Sequence, residues 1–328
     1  STLTITKLAW RDLVPDTESY QELFAQPNLA KEHEFILSDT QPRLHYALEQ
    51  VLSPWATAPF MLLKAPEEAE YLTLLGDAMR QLQPEANAVF GGEYRIAGHD
   101  VTFEPAAQAD GRFAVKGEVI TANWVEAEQL FGCLRQFNGE LSLQPGLVHR
   151  ANGGVLIISL RTLLSQPLLW MRLKTIVNQQ RFDWVGYDES RPLPVSVPSM
   201  PLSLTVALTG DRESLADFQE MEPELAEQAV YSEYEDNIQI ADADDMAQWC
   251  QWVMAVAERF SLPTPAADAW PGLIREAVRY TGDQETLPLC PLWISKQLRE
   301  VGVVSGNGAF TGEQLTQMLA QREWREGY

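Results

Sequence analysis

The apolar and polar positions of this chain spell a strand–loop–helix series, then a long helical stretch. Residues 1–37 carry scattered apolar anchors (Leu8, Trp10, Leu13, Tyr20, Leu23, Phe24) and read as a lead-in arm. Ser38 or Asp39 can cap a helix reaching residue 51, with Leu44, Ala47, Leu48 and Val51 on one face. The run PFMLLKA (59–65) predicts a short buried strand, and helical spacing returns over 67–82 with Leu72, Leu75, Met79 and Leu82 in register. Residues 89–123 alternate and contain glycines, which fits two or three short strands; 124–134 is helical again. GGVLIISL (153–160) is the continuous apolar run of a strand buried on both faces, followed by a helix over 163–179. PLSLTVALTG (201–210) is a further strand, and a helix begins with DRESLADFQEM.

Three such units in succession predict an α/β domain with a parallel sheet and crossover helices. Beyond 242 the pattern is entirely helical, over 242–260, 268–281, 288–302 and 311–325. The expected organisation is an arm (1–37), an α/β domain (38–241) with an insert at about 84–145, and a helical domain (242–328). No internal repeat is visible.

Composition narrows the class. With 45% apolar and 21% charged residues, the 328-residue chain is globular in kind, not disordered. Its net charge of −22 argues against nucleic acid, whose phosphates such a surface repels, and no local basic patch is expected to offset it. The acidity is concentrated: between Asp211 and Glu258 there are 14 Asp and Glu against Arg212 alone. A solvated acidic face is the plain reading, a docking surface for a basic partner the other. Cys133, Cys250 and Cys290 are scattered without a CxxC pair, as in a reducing compartment. The opening STLTITKLAWRDL has no signal-peptide pattern, and no apolar run approaches the ~20 residues of a membrane span, so a cytoplasmic protein without a membrane partner is expected.

A nucleotide site on this sheet would need a GxxxxGK[ST] loop after the first strand and an Asp-Glu at the end of a later one, to hold phosphates and Mg²⁺. The first strand instead runs into Lys64, Ala65, Pro66, Glu67, Glu68, Ala69, Glu70 and Tyr71, with no glycine and three carboxylates. The strand VLIIS leads to Ser159 and Leu160 where Asp and Glu are wanted. Both Walker A and Walker B are therefore degenerate. Lys64 reads as solvated or paired with Glu67 or Glu68 in preference to a displaced phosphate ligand. The four histidines (His33, His45, His99, His149) have no metal-ligand spacing, so no metal site is expected. The tryptophans of the helical part, Trp249, Trp252 and Trp270, sit at core spacing. GAFTG (308–312) looks like the loop of sigma-factor activators, but Thr311 with Gln314 is an ordinary capping box.

The run EQLFGCLRQFNGELSLQPGLVHRANGGVLIIS (128–159) resembles the ATPase module of Lon-related proteases of the B type, an AAA+ module. Leu130, Phe131 and Gly132 match an LFG turn. Pro145, Gly146, His149, Arg150, Ala151, Asn152, Gly153 and Gly154 match the run before the strand that normally ends in Asp-Glu. LSDTQPRLHYALEQVL (37–52) is similar to the Gln-x-Arg helix that opens the module, through Gln41 and Arg43. TVALTGDRESLADFQEMEPEL (205–225) is similar to the third strand, its Gly-Asp end at Asp211 and the Pro-Glu turn. IREAVRYTG (274–282) is similar to the lid segment whose second arginine, here Arg279, reaches nucleotide.

The resemblance implies an AAA+-like parallel sheet followed by an all-helical lid. It implies a nucleotide pocket at Gln41, Lys64–Tyr71, Ser159, Leu160, Asp211 and Arg279, and a substrate loop with Phe131, Gly132 and Phe137. ATP and Mg²⁺ would be the family's cofactors and polypeptides its substrates, in a homo-oligomeric, hexameric ring. The departures change that picture. The phosphate loop and the Mg²⁺ carboxylates are absent, and Ala226, Glu227 and Gln228 stand where an arginine finger would follow the Pro-Glu-Leu turn. No cofactor is then expected, and ATP hydrolysis is expected to be lost. The family's Ser-Lys peptidase motif is also absent, and the chain closes at QREWREGY (321–328) inside a charged helical run, so the resemblance implies a peptidase domain beyond it. His149 reads as a tie between insert and strand, or as a contact to nucleotide or a neighbouring subunit. The expected role is to recruit or gate substrates for the peptidase; the alternative is a non-proteolytic interaction scaffold.

Overall fold

The computed structural model describes residues 16–26, 34–84, 88–109, 111–187 and 190–327. Leu8, Trp10, Leu13 and His33 of the sequence reading lie outside them. The chain divides into two compact units, one of Arg43–Tyr234 and one of Ser1–Pro42 with Glu235–Tyr328.

The Arg43–Tyr234 unit is built on a five-stranded, wholly parallel sheet. Its strands are β1 (Phe60–Lys64), β2 (Val119–Ala122), β3 (Val155–Ser159), β4 (Thr205–Gly210) and β5 (Val230–Glu233), in the spatial order β5-β1-β4-β3-β2. The expected parallel α/β sheet is thus present; β2 falls in the 89–123 segment expected to hold two or three short strands, and β5 lies outside every predicted strand. The apolar runs predicted as strands are β1, β3 and β4; every residue of β3 is buried. The additional strands lie at the two edges and are four residues each.

Helices predicted from spacing appear, but two are cut by proline. The helix expected from residue 38 is Leu37–Thr40 followed by Pro42–Leu52, and the one expected over 163–179 is Leu160–Leu164 followed by Pro167–Gln179. In each case the residue before the proline, Gln41 (φ −131°, ψ 61°) or Gln166 (φ −131°, ψ 75°), leaves the helical region, as the proline ring requires. The insert holds a three-stranded antiparallel sheet of Phe90–Ala97, Asp100–Pro105 and Phe113–Val115.

The helix expected over 124–134 is Ala127–Phe131 and stops at Gly132 (φ +74°), where a Cβ would stand 2.1 Å from the Gln144 carbonyl oxygen. The chain then forms an antiparallel hairpin, Cys133–Phe137 with Glu140–Gln144. Its two-residue turn, Asn138 (φ +51°) and Gly139 (φ +80°), is of the kind whose twist matches paired strands.

In the other unit the four predicted helices are Ala243–Arg259, Trp270–Thr281, Pro291–Ser305 and Gly312–Glu326. This region is not entirely helical: Asn237–Gln239 pairs antiparallel with Thr286–Pro288. Three-residue strands have too few positions to show a period. The unit's core holds Trp249, Trp252 and Trp270, and Phe24 of the arm stacks on Trp270 at 6.2 Å between ring centroids. Thr311 and Gln314 form the reciprocal capping box expected of them, at 3.2 and 2.9 Å.

Candidate functional site: the carboxyl edge of the sheet

In an open parallel sheet ligands bind outside the carboxyl ends of the strands, where the strand order reverses. Here β1 and β4 lie side by side although β2 and β3 come between them in the sequence, and Ala65 N–H donates to Gly210 O at 3.1 Å to join the two ends. The connection from β1 to the helix Ala69–Leu82 consists of Ala65, Pro66, Glu67 and Glu68. Ala65 is buried, as is Tyr71, whose ring meets Tyr234 edge-on at 5.3 Å. These four residues contain no glycine, whereas loops that cradle phosphates use glycines to turn several N–H groups inward.

Carboxylates of the chain hold the anion positions of this edge. Glu67 reaches the start of the helix after β3, where its Oε1 accepts from Arg161 N–H at 3.2 Å and its Oε2 lies 3.9 Å from Arg161 Nε. Arg161 Nη2 continues to Asn123 Oδ1 at 3.4 Å, after β2. Glu68 precedes the helix Ala69–Leu82 and Glu70 lies in its first turn. Asp211 caps the helix Arg212–Met221, its Oδ1 accepting from Ser214 N–H at 2.7 Å. That hydrogen bond holds the Asp211 carboxyl below its usual range. Helix N-termini attract anions; Glu67 and Asp211 occupy those of the helices after β3 and β4, whereas the helix after β1 starts without a side-chain cap. Lys64 Nζ lies 3.7 Å from Glu233 Oε2, so its ion pair is with β5 and not with Glu67 or Glu68.

At the ends of β3 and β4, Ser159 and Thr209 face each other in register and are fully buried, and neither hydroxyl has a hydrogen-bond partner among the described residues. A neutral hydroxyl cannot replace the ionised carboxylate that holds Mg²⁺ beside a triphosphate. Leu160, next to Ser159, is buried and apolar. Among the described residues no three His, Cys, Asp or Glu side chains group in a way that could hold a metal ion. ATP with Mg²⁺ does not fit the residues present.

The remaining pocket residues lie in the other unit. Gln41 is buried; its Nε2 donates to Glu235 O at 2.6 Å and its Oε1 accepts from Glu235 N–H at 2.8 Å. Both ends of that amide are committed to backbone. Arg279 lies in the last turn of Trp270–Thr281, 3.9 Å from Glu276.

Much of the signature run is locked into the fold. His149 is fully buried, stacks on Trp184 (5.3 Å) and meets Phe182 and Phe113 edge-on; its Nδ1 accepts from Gly146 N–H at 2.8 Å. Burial, with Arg172 nearby, pushes its pKa down to about 3, so the ring is neutral. It ties the insert, through Phe113, to the body of the unit. Asn152 Oδ1 accepts from Ser203 N–H at 2.9 Å, and a Cβ on Gly154 would stand 2.2 Å from Glu118 O.

Of the substrate-loop residues, Phe137 is 78% exposed beside the hairpin turn, whereas Phe131 is 1% exposed with the Arg172 guanidinium 4.4 Å from its ring centre. The expectation that both phenylalanines contact substrate is corrected by that burial: Phe131 is a core residue. Gly132 is the pivot between helix and hairpin. The hairpin itself was missed in the sequence, although Asn138-Gly139 between alternating residues is its signal.

The fold defines the class as far as a parallel α/β module. Residues 116–229 match the family model described as LonB-like, AAA domain. The chain belongs to the Lon-related proteins and carries their AAA module. It is 65% identical over 326 residues to a Lon protease homolog of Escherichia coli (strain K12), covering 99% of this chain and 56% of that protein. A Lon protease homolog of Haemophilus influenzae is 32% identical over 280 residues, covering 83% of this chain and 46% of that protein. The chain therefore spans about half the length of the curated relatives it matches. A solved structure of NtrX from Brucella abortus in complex with ADP aligns with 91% of this chain and 57% of its own, at 11% identity and a TM-score of 0.45. No helix among the described residues is long and apolar enough to cross a membrane.

Proposed function

We propose that this module has lost ATP hydrolysis and acts as a passive collar that recruits or gates polypeptides for a Ser-Lys peptidase domain of the longer protein. The observation that carries the reading is Glu67. The loop that should cradle phosphates is four residues long, lacks glycine, and places its own carboxylate on the backbone N–H of Arg161. A triphosphate entering there would meet Glu67, Glu68, Glu70 and Asp211 within the same edge and would have to displace an ion pair. Without hydrolysis nothing supplies work against a substrate's fold, worth ~5–15 kcal/mol, so such a module handles loosely folded chains. Phe137, held out by its hairpin, is the side chain best placed to contact them.

The test is ATP and ADP titration by calorimetry on this chain, with turnover assayed alongside. Neither binding nor turnover is expected. Micromolar binding that is lost on Lys64→Ala or Arg279→Ala would overturn the reading. A scaffold without proteolysis is the second reading, favoured by the exposed Asp217, Glu220, Glu224 and Glu227 on the consecutive helices Arg212–Met221 and Pro223–Gln228. Degradation of an unfolded protein by the full-length protein, abolished by replacing its peptidase serine, would exclude the scaffold.

A further inference from the structure

Two adjoining clefts cross the amino edge of the sheet, opposite the edge described above. One, of about 540 Å³, is lined by Pro59, Thr205 and Val155, at the starts of β1, β4 and β3. The other, of about 930 Å³, continues past Val119, the start of β2. Both are lined by Gln83 and Gly153, so together they form one open groove. Across four strands at ~4.8 Å spacing it runs ~14 Å, the length of four or five residues of extended chain.

The larger cleft gathers cations in a chain where 46 acidic residues face 24 Lys and Arg. Arg80, Lys116 and Arg150 line it, against Glu118 as the one carboxylate among the described residues. Arg80 is partly used: its Nη1 lies 2.9 Å from Asp77 Oδ1 and its Nη2 donates to Val119 O at 3.1 Å. Lys116 and Arg150 have no ion-pair partner among the described residues. Arg150 is also the exposed member of a run whose His149, Asn152 and Gly154 are locked into the fold.

We propose that this groove binds an extended, acidic polypeptide segment, its carboxylates meeting Lys116 and Arg150 and, at the groove's end, Arg80. The cations, the open elongated shape and the length together select such a ligand. Single-stranded nucleic acid fits less well, because it needs stacking platforms and Phe90 is the aromatic side chain lining the groove. The proposal does not depend on the fate of the nucleotide edge, which lies at the other end of the strands and has its own ATP titration.

The experiment is fluorescence anisotropy of a labelled twelve-residue Glu/Ser peptide against this chain at low salt, with Lys/Ser and Gln/Ser peptides as comparisons. The Glu/Ser peptide alone should bind, and the charge-reversal pair Lys116→Glu/Arg150→Glu should weaken it at least tenfold. The pair Lys296→Glu/Arg299→Glu, on the helix Pro291–Ser305, makes the same change in net charge and should leave binding within twofold. Circular dichroism melts confirm folding; should the reversal pair not fold, Lys116→Gln/Arg150→Gln replaces it, with a threefold or greater loss expected. No binding of the Glu/Ser peptide, or equal loss in both reversal pairs, overturns the proposal. So does displacement of the peptide by a twelve-nucleotide oligothymidine at lower concentration than by unlabelled peptide.

Discussion

The buried neutral His149 makes the stability of the Arg43–Tyr234 unit depend on pH in a way that can be calculated. Its side chain is fully buried among Phe113, Phe182 and Trp184, and its pKa is pushed from 6.5 down to about 3. The folded value lies below the unfolded one, so acid protonates the unfolded chain first. The contribution is fully present above pH 6.5 and is lost progressively as pH falls toward 3. Between pH 7.5 and 5.0 the unfolded imidazole becomes almost wholly charged while the folded one stays neutral, a loss of about 2 kcal/mol. His149→Gln keeps an acceptor for Gly146 N–H but cannot titrate. Urea unfolding at both pH values should show native protein losing about 2 kcal/mol more than the variant. Every other group is common to both proteins and cancels in the difference. Equal losses would refute the reasoning, because they would mean that His149 is as accessible to protons folded as unfolded.

Other expectations follow from single contacts. Glu67→Gln removes the charge from the Arg161 N–H and should cost about 1 kcal/mol in urea unfolding; no loss would mean the contact is incidental. Gly154→Ala would drive a Cβ to 2.2 Å from Glu118 O, with backbone unable to yield, and should lower stability by about 3 kcal/mol or prevent folding. Gln41→Ala leaves the Glu235 backbone N–H and carbonyl without their side-chain partners and should speed hydrogen exchange at the Glu235 amide at least tenfold. Phe137→Ala, at an exposed site, should change stability by less than about 0.5 kcal/mol while reducing capture of an unfolded polypeptide by the full-length protein; unchanged capture would remove the hairpin from substrate contact.

Local pattern carried much of the fold. β1, β3 and β4 are apolar runs because a strand covered on both faces must be, and the helices from Ala243 onward follow their period because each buries one side. Prolines 42 and 167 cut two helices for a reason written in the dipeptide itself. The lack of a glycine loop and of Asp-Glu after VLIIS is also a property of the sequence alone, as is the specific run that relates the chain to the Lon proteins.

What the tertiary structure decided is who meets whom across long separations. β2 lies in a segment expected to hold short strands, but its place at one edge of the parallel sheet, and that of β5 at the opposite edge, are set by topology. Gln41 finds the Glu235 backbone 194 positions away, and Glu67 finds Arg161 94 positions away; no local spacing encodes either pair. Phe131 and Phe137 look alike in sequence, yet a glycine pivot and a two-residue turn bury one and expose the other. Arg80, Lys116 and Arg150 form no basic run, and only the order in which the strands lie side by side brings them to one groove. Side-chain period reports which face of an element is buried, whereas a site is made of elements brought together by topology, and that information is distributed over the whole chain.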